Sequence, residues 1–177
     1  MQTKELTCCA FSAACITLCS WISIPLTIPF TLQTLAIFFI CGALGGRIAT
    51  CSIILYLLLG CIGIPVFSGF RQGFSTLFSM TGGYIFGFLL SSLLLWSLEK
   101  WWKDHTVRFF FSCLFALMIC YLCGTLWFAF LNMQTTEPLG ILSIIALCVL
   151  PYLLPDLLKI LIAIYLIKRL RIFFITK

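Results

Sequence analysis

The sequence predicts an all-α membrane protein, with six transmembrane helices in a single domain that covers residues 1–177. Hydrophobic residues make up 63% of the chain and charged residues 9%, whereas a soluble domain usually carries about 25% charged residues. The mean hydropathy is +1.20. Apolar runs alternate with short stretches that are rich in glycine, proline or polar residues, which is the pattern of helices in a bilayer and the turns between them.

The six predicted helices follow one another along the chain. The first apolar run is long and no small-residue cleavage site follows it, so we interpret it as a retained helix rather than a signal peptide. The predicted helices cover approximately residues 6–24, 32–44, 48–59, 82–98, 107–130 and 155–175. The second and third are short for a full crossing, and we expect them to form a tight hairpin that packs against the longer helices.

Glycine and proline mark the connections between these helices. Pro25 and Pro29 discourage a continuous helix between the first two segments, and the glycine pair at 45–46 ends the second helix. The loop of residues 65–81 is long for a compact protein, and such loops are usually functional, so we expect a lid or a pocket wall there. Residues 139–150 are apolar but too short to cross a bilayer, which predicts a short outer helix that covers the site.

The basic residues indicate how the chain lies in the membrane. With both termini in the cytoplasm, nine of the eleven basic residues are cytoplasmic: Lys4, Arg47, Lys100, Lys103, Arg108, Lys168, Arg169, Arg171 and Lys177. Arg71 and Lys159 then lie outside, and this asymmetry is the one that the positive-inside rule requires. In this orientation the polar features of residues 25–33, 65–84 and 156–159 converge at the outer end.

Asp156 and Lys159 are the central candidates for a binding site. Pro155 suits the first position of a helix, because its missing N–H would be unpaired there, and a spacing of three places the two charged side chains on one face of the first turn. The open N-terminus of that helix would offer further N–H donors to a ligand. Ionisable groups within a membrane segment usually face a cavity or a partner. The alternative is that they lie at the headgroup level and neutralise each other.

The composition argues against several other functions. The net charge is +6, but the basic residues do not form the aromatic-laced surface that is typical of nucleic-acid binding. His105, the single histidine, lacks partners for a metal and lies at the membrane face opposite Asp156, so no hydrolytic triad is available. No cofactor or ATP motif is present. The eleven cysteines lack a disulfide framework, although Cys120 and Cys123 leave a membrane thiol oxidoreductase as an alternative of another class.

Four short segments carry a resemblance to a known family. They are residues 24–34 (IPLTIPFTLQT), 55–67 (LYLLLGCIGIPVF), 81–88 (TGGYIFGF) and 154–159 (LPDLLK). In order and spacing they resemble the BioY family, the biotin-binding S components of energy-coupling factor (ECF) transporters. The family commonly has a glycine-rich sequence after Pro-Val-Phe, which Phe70, Arg71 and Gln72 interrupt here.

The resemblance implies a six-helix S component that captures biotin from the outer face for uptake, and not an enzyme. It implies that Asp156 and Lys159 contact biotin. A carboxylate would accept from the ureido N–H groups of biotin, whereas the lysine can bind either the ureido oxygen or the valerate carboxylate. The weaker candidates for the remaining contacts are Gln33, Arg71, Gly82, Gly83 and Tyr84.

The resemblance also implies partners and a location. Ala10 and Ala14 form a small-xxx-small pair on the first helix, of the kind that lets another helix approach closely. In the family such a pair packs on the transmembrane coupling subunit, and two ATPases supply the energy; a self-oligomer is the other possibility. The expected location is the cell membrane, with multiple passes. An S component for another vitamin and a purely structural membrane subunit remain as alternative functions.

Overall fold

The computed structural model describes residues 3–26, 28–103, 105–135 and 139–175, with the side chains described up to residue 170. Most of the described chain is helical, which confirms the predicted class. The helices are α1 (Thr3–Trp21), α2 (Gln33–Leu44), α3 (Gly46–Ile62), α4 (Phe74–Leu77), α5 (Gly82–Ser97), α6 (Glu99–Trp102), α7 (Thr106–Asn132), α8 (Ile141–Cys148) and α9 (Leu150–Ile175). Two short strands, β1 (Ser23–Ile24) and β2 (Phe30–Thr31), pair antiparallel and form a β-hairpin, hereafter the hairpin.

The six longest helices coincide with the six predicted segments, but their lengths differ. Among the described residues, two helical stretches are long and apolar enough to cross a membrane. They are α7 (Thr106–Asn132) and the stretch Ile141–Leu170, which runs through α8 into α9. The other apolar helices are shorter: α2 has 12 residues, or about 18 Å at 1.5 Å per residue, against a hydrocarbon core of about 30 Å. The number of crossings therefore stays a prediction, whereas the apolar helical architecture is observed.

The structure differs from the prediction at three places. The final helix begins at Leu150 rather than at Pro155, because Pro151 already fills the first turn, where a missing N–H costs nothing. Pro155 therefore lies inside α9, and Asp156 is not at an open helix N-terminus. The first helix ends at Trp21, where β1 and β2 replace the expected irregular turn. The loop 65–81 contains a 3₁₀ turn and α4.

The helices pack closely where glycine faces a neighbouring helix. A Cβ at Gly83 would lie 2.3 Å from the Cβ of Trp127, and one at Gly87 would lie 3.0 Å from the Cα of Cys120. Real Cβ atoms do not approach other atoms to 2.3 Å, so α5 and α7 can touch only because the residue at 83 has no side chain. This contact forms much of the core behind the cavity described below.

The polar features lie at two separate ends of the bundle, as predicted, and hydrogen bonds and an ion pair mark each end. At one end, Arg47 lies 3.6 Å from Glu5, and the Glu99 carboxylate accepts a 3.1 Å hydrogen bond from the N–H of Gly46. At the other end, Trp21 Nε1 donates to the carbonyl of Pro65 at 2.9 Å. The hairpin, residues 65–81 and the start of α9 therefore meet at the end away from the N-terminus.

The outer face of the bundle is apolar. Along α7, exposed hydrophobic side chains recur every three or four residues: Phe111, Phe115, Met118, Leu122, Leu126 and Phe130. Soluble proteins rarely expose a continuous apolar stripe of this length. The stripe is the surface expected of a helix that faces lipid, and it supports the membrane assignment independently of the hydropathy.

Candidate functional site

A cavity of about 730 Å³, a volume that includes the part open to solvent, lies at the end of the bundle where the hairpin meets α9. Its wall is formed by the β1–β2 turn, the start of α2, the middle of α3, residues 67–81 and the inner faces of α5, α7 and α9. The lining is mostly apolar and includes Phe30, Phe67, Phe88 and Leu117. An apolar pocket of this size with a few polar groups is the usual form of a small-molecule site.

The Asp156 carboxylate is held by three donors on three different helices. Its Oδ1 accepts from Thr34 Oγ1 of α2 at 3.0 Å and from Lys159 Nζ at 2.7 Å. Its Oδ2 accepts from the Tyr121 hydroxyl of α7 at 2.5 Å. The residue is only 4% exposed. A carboxylate has about four lone-pair sites, so one acceptor position remains for a ligand.

The Lys159 ammonium is also held on several sides. Besides Asp156, it donates to the carbonyl of Thr31 at 2.6 Å, and its Nζ lies 3.9 Å from the centre of the Phe30 ring. Lys159 is 4% exposed, so this ring supplies favourable electrostatics where water is scarce. An ammonium has three N–H donors, and the two hydrogen bonds leave one free for a ligand.

The spacing of three on α9 produces this pair as predicted, although the helix does not begin where we expected. Both side chains line the cavity, and neither is exposed at a headgroup level. The two charges cancel, and every group that faces them within hydrogen-bonding distance is a neutral donor or acceptor. The deep end of the cavity is therefore electrically neutral overall but carries one open donor and one open acceptor.

Three of the five weaker candidates line the cavity: Gln33, Arg71 and Tyr84. Gln33 donates from Nε2 to the Tyr56 hydroxyl at 2.7 Å and accepts from Thr31 Oγ1 at 3.1 Å. Tyr84 donates to the carbonyl of Cys148 at 3.0 Å, which ties α5 to the end of α8. Both side chains make hydrogen bonds within the protein and shape the wall, and the Gln33 amide keeps one further N–H donor.

Gly82 and Gly83 are placed differently from the prediction. Neither is among the residues that line the cavity. A Cβ at Gly82 would lie 1.7 Å from the carbonyl oxygen of Leu77, and Gly83 abuts Trp127 as described above. Their lack of a side chain serves the packing of α5 against α4 and α7, so a direct backbone contact with a ligand has no support in this geometry.

Sequence reasoning missed two residues that hold the charged pair, Thr34 and Tyr121. Thr34 ends the segment 24–34 that resembles the BioY family, but it carries no charge that singles it out. Tyr121 lies in an apolar run between Cys120 and Cys123. A tyrosine in the middle of a membrane helix is the one signal that was available, because its hydroxyl needs a partner when buried. Tyr152 is a further case, since its hydroxyl donates to the carbonyl of Ile28 and fixes the hairpin against α9.

The remaining candidates lie away from the cavity. Ala10 and Ala14 are exposed on one face of α1, while Ala13 is buried, so the alanine pair is available to another helix. Cys120 borders the cavity but donates to the carbonyl of Tyr84 at 3.8 Å, and both Cys120 and Cys123 are free thiols. No cluster of metal-ligating side chains occurs among the described residues.

Comparisons with known proteins agree on one family. The sequence model of the BioY family matches residues 1–175. The chain is 35% identical over 160 residues to the biotin transporter BioY of Thermotoga maritima, covering 89% of this chain and 90% of that protein. It is 32% identical over 173 residues to the probable biotin transporter BioY of Pyrococcus horikoshii, covering 97% and 98%.

A solved structure shows the same fold. It is the crystal structure at 2.1 Å of the S component for biotin from an ECF-type ABC transporter, and it superposes with a TM-score of 0.84. The two chains are 26% identical, and the match covers 96% of this chain and 92% of the other. A likeness of this extent shows that the two chains share one fold.

Proposed function

The chain belongs to the BioY family, and from that premise we propose that its cavity binds biotin for uptake across the cell membrane. The protein has the S-component fold, and its relatives are transporters rather than enzymes. The observation that carries the proposal is the buried Asp156–Lys159 pair at the deep end of the cavity. Nothing in the geometry favours thiol chemistry at Cys120.

The unused hydrogen-bond donor and acceptor positions of the pair suit the ureido ring of biotin. That ring presents N–H donors and one carbonyl acceptor within a single neutral group. The remaining acceptor site of Asp156 can take an N–H, and the remaining N–H of Lys159 can donate to the carbonyl. Hydrogen bonds to charged groups are roughly twice as strong as neutral ones, so two of them can orient the ring without any change in the charge of the site.

The apolar wall suits the rest of the molecule. The thiophane ring and the methylene chain of biotin need a dry surface, which the aromatic rings of Phe30, Phe67 and Phe88 provide. Burying a methylene group gains about 0.8 kcal/mol. The ligand would lie with the ureido ring against α9 and the valerate chain pointing toward residues 67–81, because the deep end holds the groups that match a neutral ring.

The charge distribution supports capture from the outer face. The end of the bundle that holds Arg47, Lys100 and Arg108 is the basic end, and the cavity opens at the other. Basic residues favour the cytoplasmic side, so we place both termini in the cytoplasm and the cavity mouth outside. The protein would then be a multi-pass protein of the plasma membrane that loads biotin from outside.

The exposed alanine pair supports a partner for transport. Ala10 and Ala14 leave a flat strip on α1 against which another helix can pack closely. We assign this strip to the membrane coupling subunit of an ECF module, whose two ATPases would supply the energy. The rival partner is a second copy of this chain on the same strip, and crosslinking of a cysteine-free protein with a single cysteine at position 10 distinguishes the two.

Equilibrium binding of labelled biotin to the purified protein tests the function. We expect saturable binding at one site per chain, and competition by unlabelled biotin but not by thiamine or riboflavin. If labelled biotin does not bind but labelled thiamine or riboflavin does, the protein is an S component of different specificity. Absence of saturable binding of all three vitamins would leave a structural subunit.

A further inference from the structure

The polar side chains that line the cavity fall into two groups. Those at the deep end and in the wall donate to or accept from the protein itself, including Thr76, which donates to the carbonyl of Gln72 at 2.8 Å. Ser68 is an exception, since its Oγ is shielded from solvent and has no hydrogen-bond partner. Arg71 is the other, because its guanidinium has no hydrogen bond or ion pair among the described residues.

These two side chains are held on one short turn at the cavity mouth. The N–H of Phe67 donates to the carbonyl of Arg71 at 3.1 Å, which closes the turn around Ser68. Phe67 is buried and packs edge-on against the Tyr56 ring at 5.5 Å between centroids. The turn is thus anchored at its base, while Arg71 itself is exposed.

The formal charge of the cavity wall identifies what the mouth would bind. Asp156 and Lys159 cancel each other across 2.7 Å. Arg71 is the remaining charged residue of the lining, so the wall carries one net positive charge. One negative charge on the ligand, placed at the mouth, would neutralise it. A guanidinium presents a planar fork of donors that matches the two oxygens of a carboxylate.

We propose that Arg71, together with the Ser68 hydroxyl, binds the carboxylate of the substrate at the outer end of the cavity and selects the acid over its neutral derivatives. The proposal rests on the proposed function, because it assumes that the neutral ring occupies the deep end. It also assigns the free N–H of Lys159 to the ring carbonyl rather than to the valerate. Arg71 is therefore a specificity-determining residue that this chain carries within an otherwise glycine-rich segment.

The test compares biotin with biotin amide, whose side chain ends in a neutral carboxamide of the same shape. Dissociation constants are measured for the unchanged protein, for Arg71→Gln and for the control Arg108→Gln, which makes the same chemical change near the opposite end of the bundle. A charge-assisted hydrogen bond at an exposed site should give a preference for biotin of about tenfold in the unchanged protein at low salt. The same preference is expected for Arg108→Gln.

In Arg71→Gln the preference should fall to about twofold or less, with the affinity for biotin amide unchanged, because the amide never used the charge. The preference of the unchanged protein should also shrink as salt is raised from 20 mM to about 500 mM, since an exposed pair is screened. An Arg71→Gln protein that keeps the full preference would overturn the proposal. Failure of the unchanged protein to bind either ligand would instead refute the proposed function.

Discussion

Removing the charges of the buried ion pair one at a time and then both together separates the structural role of the pair from its role in binding. Four proteins are compared: the unchanged chain, Asp156→Leu, Lys159→Met and the double variant that carries both changes. Leucine keeps the branched shape of aspartate, with methyl groups bulkier than the carboxylate oxygens, and methionine keeps the approximate volume of lysine; both remove the charge. The question is whether the two charges are needed for folding, for biotin binding, or for both.

The contacts give the expected size of each effect. Asp156→Leu leaves the Lys159 ammonium, 4% exposed, with the carbonyl of Thr31 as its remaining hydrogen-bond partner. Breaking a buried pair in this way costs about 3–5 kcal/mol. Lys159→Met leaves a carboxylate that still accepts from Thr34 and Tyr121, so its cost should lie at the lower end, about 3 kcal/mol.

The double variant removes both charges together, and an apolar replacement of a buried pair is often neutral. Two hydroxyls would lose their acceptor, at about 1–3 kcal/mol for each one left unsatisfied, although rotation toward a backbone carbonyl can reduce this. We therefore expect the double variant to recover about 2 kcal/mol or more relative to Asp156→Leu alone. Biotin binding should be lost in all three variants.

The free energy of unfolding is measured by titrating the purified proteins in mixed micelles with a denaturing detergent, and binding is measured with labelled biotin. A double variant that folds as well as the single ones or better, yet binds at least a hundredfold more weakly, is the expected result. If the double variant still binds biotin within tenfold of the unchanged protein, the charged pair is not the recognition site. If Asp156→Leu costs less than about 0.5 kcal/mol, the buried contacts do not carry the energy assigned to them.

Three further changes test other parts of the structure. Tyr121→Phe should cost about 1–2 kcal/mol of stability and weaken biotin binding several-fold in the labelled-biotin assay, because the buried carboxylate loses one donor. Gly83→Ala should lower the unfolding midpoint in detergent, since a Cβ there would lie 2.3 Å from a tryptophan Cβ of α7, whereas unchanged stability would mean that α5 and α7 can separate. Ala10→Leu combined with Ala14→Leu should abolish biotin uptake by cells but leave binding intact, and the neighbouring exposed Phe11→Leu is the matched control that should leave both unchanged.

The sequence was sufficient to predict the membrane class and the pairing of Asp156 with Lys159, because both depend on local signals. An apolar composition marks lipid-facing helices whatever their arrangement, and an ionisable pair in an apolar run stands out against its neighbours. The predicted start of α9 is wrong because it also depended on a local signal alone. A proline was interpreted as a helix start, but tertiary contacts of Tyr152 with the hairpin support a helix that continues through it.

The partners of the charged pair were not predictable from local signals. Thr34 and Asp156 are 122 residues apart in the chain, and Tyr121 precedes Asp156 by 35. Which hydroxyl meets the carboxylate depends on how α2, α7 and α9 pack and rotate, and that is set by close contacts such as Gly42 of α2 against Ile167 of α9. A single sequence does not show which of its many polar residues will meet across the bundle.

The hydrogen bonds within the charged pair also bear on specificity. An unpaired carboxylate or ammonium at this depth would be costly, so Asp156 and Lys159 have to be neutralised by each other before any ligand arrives, and their substitution affects stability as well as binding. The Arg71 side chain is exposed and its guanidinium has no partner among the described residues, so the fold depends on the backbone of this residue and not on its side chain. Stability therefore limits substitutions at the deep end of the cavity more than at its mouth. A substitution at the mouth can change the preference between an acid and its neutral derivatives without loss of the fold.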